Sequence, residues 1–279
     1  METKANKVQS TLLLLFFIGL SILTLLPFAA ILLASFKPSS ELLRFGLNLK
    51  IQPELLTLSN YEYIFTEGKR FLVWYKNSIF ITLLFTVFSI FVSSMVGYAL
   101  AVYNFKGKTL IFTLVLLSLM IPVEIMMLPL YKEMIFMKLV NTYWGVILPF
   151  LATPYAIFFF RQYALGLPKG LIDAARVDGC TEIGIYFRIM APLMVPAFGS
   201  MAILQAMHSW NNFLWPLIVL RTEDMFTIPI GLAGLLSPYG NNYDLLISGS
   251  VLSVLPILVV FLFFQRYFIS GLTLGGVKG

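Results

Sequence analysis

The stretch LIDAARVDGCTEIGIYFRIMAP, residues 171–192, is the most informative part of this chain of 279 residues. The whole protein is 59% hydrophobic and only 11% charged, yet this stretch holds five charged side chains. They are Asp173, Arg176, Asp178, Glu182 and Arg188. Long apolar runs lie on both sides of it, at 139–160 and 189–220. A polar segment kept between two such runs must face surroundings different from theirs.

The two flanking runs belong to a set that is long enough to cross a membrane. Soluble domains are about half apolar and about a quarter charged, so the apolar excess of this chain indicates a lipid bilayer as its solvent. A helix needs about 20 residues to cross a hydrocarbon core of about 30 Å. Six runs without charged residues, except for Glu124, reach that length: 8–36, 77–105, 109–131, 139–160, 189–220 and 245–265. The sequence therefore predicts an all-α polytopic membrane protein with six transmembrane helices.

These runs and their flanking charges predict how the chain is organised. The first run is too long for the apolar core of a signal peptide, so we expect a retained helix. The expected segments are a cytoplasmic N-terminus at 1–10, helices at 11–36, 77–103, 109–131, 143–160, 193–220 and 244–268, extracytoplasmic loops at 37–76 and 221–243, a cytoplasmic loop at 161–192 and a cytoplasmic tail at 269–279. Eight prolines fall within the spans and predict kinks: Pro27, Pro122, Pro129, Pro149, Pro154, Pro196, Pro216 and Pro256.

Basic residues favour one orientation of these helices. With both termini inside, cytoplasmic segments carry ten Lys and Arg residues, and external segments outside the 37–76 loop carry three. Cytoplasmic loops are the ones enriched in basic residues. The 37–76 loop carries six more, which weakens the asymmetry without reversing it. We therefore expect both termini in the cytoplasm of a bacterial cell, with the chain in its cell membrane.

Residues 161–192, which we call the polar segment, have the features of two short helices joined at a glycine. Pro168 suits a first helical turn, and Asp173 lies where a carboxylate complements the helix dipole. Helical spacing predicts one shared face, formed by Leu171, Ala174, Ala175 and Asp178. Gly179 is expected to end this helix, and TEIGIYFRI to form the next. Residues alone leave two interpretations open: a docking site for another protein, or an amphipathic connector on the membrane surface.

Several kinds of chemistry are excluded by what the sequence lacks. There is no G-x-x-x-x-G-K-[ST] motif, so this chain has no phosphate-binding loop of its own. Cys180 is the only cysteine and His208 the only histidine, and no metal-binding spacing occurs. The formal charge of +6 comes from residues that flank apolar runs, which indicates membrane anchoring and not nucleic-acid binding. We expect no catalytic residues, no metal and no cofactor bound by this chain.

Two places within the spans could line a path for a polar solute. Glu124 lies between two prolines inside the third run, and a carboxylate within a membrane usually faces a cavity or a partner. Asn211, Asn212 and Trp215 lie in the fifth run, where amides can bond hydroxyl groups and an indole can stack on a sugar ring. A snorkelling carboxylate and ordinary helix packing are the alternatives for these two places.

The polar segment resembles the EAA loop of binding-protein-dependent ABC importer permeases. That pattern is EAA, three residues, Gly, nine residues, and Ile-x-Leu-Pro. Here Asp173-Ala174-Ala175, Gly179 and Ile189-Met190-Ala191-Pro192 keep both spacings, with Asp in place of Glu and Ala191 in place of Leu. The resemblance implies that residues 171–188 are a coupling helix that docks on a cytoplasmic ATPase. The implied contacts are Leu171, Asp173, Ala174, Ala175, Asp178, Gly179 and Glu182.

Further stretches resemble the carbohydrate-uptake, MalG-like branch of that family. They are SWNNFLWPLIVL at 209–220 and FLFFQRYFISGLTLGGVKG at 261–279. In that branch the tail can reach the ATPase dimer, which implies contacts at Gly275, Gly276 and Lys278. The fold implied is that of a MetI-like type I importer permease, with a core domain at about 70–268.

The partners implied by the resemblance are a MalF-like permease that forms a heterodimer with this chain, two cytoplasmic ABC ATPase subunits that use ATP, and an extracytoplasmic sugar-binding protein that faces the 37–76 and 221–243 loops. SFKPSSELLRFGLNL, MIPVEIMMLPL and LLSPYGNNYDLLISGS resemble permeases for arabino-oligosaccharides. Another oligosaccharide, a self-contained secondary transporter and an intramembrane enzyme are the alternatives, the last two requiring coupled or paired ionisable groups that the spans lack.

Overall fold

The computed structural model describes residues 4–237 and 240–273. The helices of the first half are α1 (Lys4–Ser35), α2 (Ser39–Phe45), α3 (Ser59–Thr66), α4 (Lys69–Val102), α5 (Lys108–Ser118), α6 (Val123–Phe136) and α7 (Tyr143–Ile147). Those of the second half are α8 (Pro154–Leu165), α9 (Gly170–Val177), α10 (Glu182–Ile185), α11 (Ala191–Leu193), α12 (Val195–Trp210), α13 (Leu214–Val219), α14 (Ile228–Gly234) and α15 (Tyr243–Thr273). Within these ranges the only strands are β1 (Leu236–Ser237) and β2 (Gly240–Asn241), paired antiparallel with Leu236 opposite Asn241. The expected all-α fold is confirmed.

Three continuous helices are long and apolar enough to cross a membrane. Their spanning parts are Gln9–Ser35, Lys69–Val102 and Tyr243–Tyr267. They correspond to the first, second and sixth expected spans. The expected start of the second span at 77 is too late, because the helix begins at Lys69 and absorbs the end of the expected 37–76 loop. Charge boundaries underestimate this helix because Lys69, Arg70 and Lys76 lie inside it.

The other three expected spans are bent pairs of helices. They are Lys108–Ser118 with Val123–Phe136 at 107°, Tyr143–Phe150 with Pro154–Leu165 at 47°, and Glu182–Leu193 with Val195–Trp210 at 77°. Counting each pair once gives six candidate spans, the expected number. The expectation of one helix over 109–131 is wrong, since the chain turns sharply between Ser118 and Val123. The expected fifth span, 193–220, is likewise divided between α12 and α13.

Prolines account for the positions of these breaks. Pro122 is extended and precedes α6, Pro154 is the first residue of α8, and Pro196 lies in the first turn of α12. A proline lacks the N–H that would continue the preceding helix, while its fixed φ suits a new first turn. Each of these prolines therefore starts a second helix instead of kinking a single one.

Described residues of Met1–Leu72 and Leu232–Val254 form one compact unit. It contains the folded 37–66 region, where Asn60 is buried and donates to the carbonyls of Ser35 at 2.9 Å and Lys37 at 2.8 Å. The Lys37 ammonium is also buried and donates to the Lys50 carbonyl at 2.6 Å. These bonds tie the end of α1 to α3 and make this loop an ordered structure.

Helix α1 has an apolar stretch whose side chains are not buried within the chain. Leu14, Phe16 and Leu23, for example, are all exposed. A row of exposed large apolar side chains on a helix needs lipid or another protein around it. This helix is therefore available for contacts outside the chain.

Described residues of Val73–Gly231 and Leu255–Gly279 form the second unit. It has two buried clusters. The cluster next to the polar segment contains Tyr98, Ala101, Phe160, Ala164, Ile172, Ala175, Ile185, Tyr186 and Met190. The other contains Ile81, Phe85, Met134, Val146, Ile147, Trp215, Val219, Leu220 and Ile230. Together they fix α4, α8, α12 and α13 around the sites described below.

A polar network centred on Gln205 lies inside this second unit. The Gln205 side chain is fully buried, and its amide nitrogen donates to Ser89 Oγ at 2.8 Å and Thr153 Oγ1 at 3.1 Å. Its amide oxygen accepts a hydrogen bond from the Tyr155 hydroxyl at 2.7 Å. Both donor hydrogens and the acceptor of the amide are thus used, which removes the cost of burying it. The network joins α4, the break before α8, and α12.

Candidate functional site

Helix α9 begins and ends where the sequence predicts. Asp173 lies in its first turn, and the chain leaves the helix through Gly179, which has a φ of +77°. Only glycine adopts that conformation without strain. The Cys180 amide donates to the Ala175 carbonyl at 2.9 Å, a bond typical of a glycine-terminated helix. The predicted helix and its glycine stop are both confirmed.

The expected shared face of α9 is wrong for one residue. Leu171, Asp173, Ala174 and Asp178 are exposed, whereas Ala175 is buried in the cluster with Ile172, Ile185 and Tyr186. Ala175 lies three residues after Ile172, so the helical period turns it toward the bundle. Its small side chain lets α9 pack closely on its own protein and does not belong to a docking surface.

Two exposed apolar residues of the polar segment were missed by the sequence reasoning. Val177 is 88% exposed on α9, and Ile183 is 70% exposed on α10. Large apolar side chains this exposed on a short amphipathic element are candidates for a protein contact. Together with Leu171 and Ala174 they give the outward surface of the segment an apolar character. The signal available in the sequence was their apolar character within an otherwise charged stretch.

The second helix of the segment is also confirmed. The Thr181 hydroxyl accepts the Gly184 N–H at 3.1 Å and caps α10. The helix continues through a π-helical turn, Tyr186–Met190, into α11. π-helical turns are rare and concentrate at functional sites. Here the turn leads directly from the polar segment into the fifth span.

Charged groups of the segment bind one another. The Arg176 guanidinium reaches Glu182 at 2.7 Å and 3.2 Å and Asp173 at 3.5 Å. The bonds from Arg176 and from the Tyr103 hydroxyl hold the pKa of the Glu182 carboxyl below its usual value. Glu182 was expected among the ATPase contacts, but its carboxylate is used by residues of this chain. Because these groups are exposed, the ion pair itself adds little stability.

The expected tail contacts Gly275, Gly276 and Lys278 lie outside the described residues. The start of the 221–243 loop, in contrast, is well held. Asn77 is buried in α4 and donates to the carbonyls of Asp224 at 2.8 Å and Phe226 at 2.9 Å. These bonds hold the start of the loop against the N-terminal part of α4.

A second candidate site is a cavity of about 450 Å³ in the second unit. We call it the Glu124 cavity. Its walls come from α6, α13, the end of α12 and the break before α8, and its lining residues are Val123, Glu124, Met127, Phe150, His208, Asn211, Asn212, Phe213, Leu214 and Trp215. All four residues that the sequence suggested for a path therefore meet in one cavity. They come from two regions of the chain about 90 residues apart.

The polar groups of the Glu124 cavity differ in how free they are. Glu124 is exposed in the first turn of α6, and the described residues offer its carboxylate no ion pair. Asn211 donates to the Met207 carbonyl at 2.9 Å. The Asn212 side chain has no hydrogen-bond partner among the described residues and is half-buried. Glu124 and Asn212 are thus the groups that could bind a solute.

Trp215 has a different role from the expected one. Its side chain is buried, its Nε1 donates to the Gly145 carbonyl at 3.1 Å, and its ring packs edge-to-face on Phe150. An indole held on both sides supports the cavity wall and has little free surface on which a sugar could stack. His208, expected only to pack within the bundle, also lines the cavity. No group of three or more metal-ligating side chains occurs in the described part of the chain.

Comparisons with known proteins agree on the kind of protein this is. Residues 89–273 match the family described as binding-protein-dependent transport system inner membrane component. The chain is 62% identical over 267 residues to the arabinooligosaccharides transport system permease protein AraQ of Bacillus subtilis (strain 168), covering 96% of this chain and 95% of that one. It is 58% identical over 279 residues to AraQ of Halalkalibacterium halodurans, covering both chains fully.

More distant proteins are similar as well. The lactose transport system permease protein LacG of Rhizobium radiobacter is 39% identical over 202 residues, which cover 72% of this chain and 74% of that one. A solved structure of a bacterial ABC transporter involved in the import of the acidic polysaccharide alginate contains a chain with a TM-score of 0.82 and 20% identity, covering 96% of this chain and 99% of that one. This structural likeness supports the importer permease fold.

Proposed function

This chain belongs to the family of binding-protein-dependent transport system inner membrane components, and from that membership we propose that it is the MalG-like permease of an ABC importer for arabino-oligosaccharides. The observation that carries the proposal is the 62% identity to AraQ along almost the whole of both chains. LacG is less similar and covers less of the chain, so another oligosaccharide is the alternative. Family membership leaves the secondary transporter and the intramembrane enzyme without support.

The importer would contain four further subunits. A MalF-like permease would complete the translocation path, and two cytoplasmic ATPases would hydrolyse ATP, since this chain has no phosphate-binding loop. An extracytoplasmic sugar-binding protein would deliver the substrate to the 37–76 and 221–243 loops. Both termini would lie in the cytoplasm and the helices in the cell membrane, in agreement with the distribution of basic residues.

The polar segment would couple this permease to the ATPase. Its outward residues Leu171, Ala174 and Val177 form a small apolar surface beside the carboxylates of Asp173 and Asp178. An apolar centre with a charged rim is the usual composition of a protein–protein contact. The π-helical turn after α10 would carry a displacement of this surface into the fifth span.

The proposed function is tested by ATP hydrolysis of the complete reconstituted complex with its binding protein, across a panel of oligosaccharides. We expect arabino-oligosaccharides to stimulate hydrolysis above the sugar-free rate. Stimulation only by a different sugar would retain the importer and reject this substrate. If no sugar in the panel stimulated hydrolysis, the assignment as a sugar permease would be rejected.

The Glu124 cavity provides a more local prediction. Replacing Glu124 with Ala removes the free carboxylate from the cavity wall, whether it binds a sugar hydroxyl or a residue of the partner permease. A hydrogen bond to a charged group contributes about 1.5–3 kcal/mol, so we expect uptake at low sugar concentration to fall about tenfold or more. Sugar uptake by proteoliposomes measures this.

Glu133 offers a matched control for that measurement. It is an exposed carboxylate on the same helix, α6, and does not line the cavity. We expect Glu133→Ala to transport normally. Equal uptake by both variants would exclude Glu124 from the translocation path.

A further inference from the structure

Tyr103 is the first residue after α4 and contacts the polar segment directly. Its hydroxyl donates to Glu182 Oε2 at 2.9 Å, across 79 residues of sequence. Within the described chain this is the only hydrogen bond that joins a side chain of residues 170–185 to another helix or its end. The remaining contacts of the segment with the bundle are apolar, through Ile172, Ala175 and Ile185.

Glu182 distributes this contact over both helices of the segment. The carboxylate lies at the start of α10, and it also binds Arg176 of α9 through two guanidinium nitrogens. Arg176 in turn reaches Asp173 at 3.5 Å. A single carboxylate thus connects the end of α4 with α10 and α9.

Buried aromatic rings and a lysine hold Tyr103 in place. Its ring packs edge-to-face on Tyr98 with centroids 5.7 Å apart, and Tyr98 packs on Tyr186 at 5.2 Å. The Tyr186 hydroxyl shares a hydrogen bond of 2.7 Å with Ser94 Oγ on α4. Lys108 Nζ donates to the Tyr103 carbonyl at 2.8 Å. Tyr103 therefore has a rigid base and presents only its hydroxyl to the segment.

Apolar contacts and hydrogen bonds constrain the segment differently. Apolar packing is non-directional, so it allows α9 to slide or rotate on the bundle at small cost. A hydrogen bond requires a narrow range of distance and angle. The bond between Tyr103 and Glu182 is consequently the contact that sets the orientation of α9 and α10 relative to the end of α4.

We propose that Tyr103 is a positioning residue that, through Glu182 and Arg176, makes α4 follow the movement of the coupling helix α9. The proposal rests on the proposed function, since α9 moves only if an ATPase docks there. When the segment is displaced, the bond would transmit the displacement to α4, which lines the interior of the second unit. The substituted residues are separate from the outward surface of α9 that would touch the ATPase.

The test compares Tyr103→Phe with the unmodified chain in the complete reconstituted complex. This substitution keeps the stacked ring and removes only the hydroxyl. We expect basal ATP hydrolysis to be unchanged and sugar transported per ATP hydrolysed to fall about tenfold, the effect of one hydrogen bond to a charged group. Tyr163→Phe is the matched control, because the described residues give the Tyr163 hydroxyl no hydrogen bond; we expect it to change nothing.

A second measurement keeps the positioning role distinct from the proposed function. Hydrogen exchange of the amides at 171–179, in the full chain in nanodiscs, needs neither sugar nor ATPase. Tyr103→Phe should speed this exchange, and adding Glu182→Gln should speed it no further, because both remove the same bond. Unchanged exchange would overturn the proposal, and so would faster exchange with an unchanged transport-to-hydrolysis ratio. Absence of sugar-stimulated hydrolysis in the unmodified complex would reject the proposed function instead.

Discussion

Replacing Ala174 with Asp is expected to abolish sugar uptake while the chain still accumulates in the membrane. Ala174 is exposed on α9 and takes no part in the buried cluster, so the fold tolerates the change. In the proposed complex the new carboxylate would be buried against the ATPase without a partner. An unpaired buried charge costs about 3–5 kcal/mol, enough to weaken docking more than 100-fold. Uptake in vesicles, normalised to membrane-inserted protein, measures the effect.

The neighbouring alanine provides the contrast. Ala175 is buried in the bundle, so Ala175→Asp should lower the amount of folded protein, whereas Ala174→Asp should not. A second variant, Gly179→Arg, should also abolish uptake, because position 179 has a φ of +77° that a residue with a side chain adopts under strain. Ala174→Ser, small and uncharged, should transport normally. Full uptake by the Ala174→Asp variant would contradict the coupling role of α9.

Replacing Gly145 with Ala is expected to destabilise the fold strongly. A Cβ at this position would overlap the Leu139 carbonyl oxygen and lie 3.0 Å from Val219 Cγ1. The neighbouring backbone is also fixed, since the Gly145 N–H donates to Thr142 Oγ1 and its carbonyl accepts the Trp215 indole N–H. Overpacking of this kind costs about 3 kcal/mol, at the upper end of the usual range. The thermal unfolding temperature of the purified chain in detergent measures the loss.

A glycine in open surroundings serves as the control for that change. No atom lies within 4 Å of a Cβ built on Gly19, which lies inside α1. Gly19→Ala should therefore unfold at the same temperature as the unmodified chain or slightly above it, because alanine favours a helix over glycine. If Gly145→Ala unfolded at that temperature as well, the close approach of the Leu139 carbonyl to Gly145 would be wrong.

The number of spans and the two helices of the polar segment could be predicted because each follows from local sequence. A hydrocarbon core imposes a minimum length on an apolar run, and Gly179 ends a short amphipathic helix. The breaks within spans could not be predicted in the same way. Pro129 and Pro256 lie inside continuous helices, whereas Pro122 and Pro154 begin new ones. Which outcome a proline gives depends on packing against neighbouring helices, which the local sequence does not contain.

The candidate sites show the same limit. Residues 211–215 drew attention by their composition, but their meeting with Glu124 in one cavity depends on how α6 and α13 pack. Ala174 and Ala175 are identical in sequence terms, and only the packed bundle distinguishes the exposed one from the buried one. Tyr103 has no local feature that indicates a partner 79 residues away. Contacts between distant segments are therefore the part that required a structure.

The Gln205 network has a consequence for the biogenesis of this protein. Ser89 and Thr153 share a hydrogen bond of 3.0 Å, and Thr153 donates to the Phe150 carbonyl, so these hydroxyls are satisfied before α12 has been synthesised. The Gln205 amide, in contrast, obtains its partners only from segments that precede it in the chain. A ribosome delivers α4 and α8 to the membrane before α12 emerges. The fifth span therefore enters a polar acceptor that is already assembled, and its stable insertion depends on the correct arrival of the second and fourth.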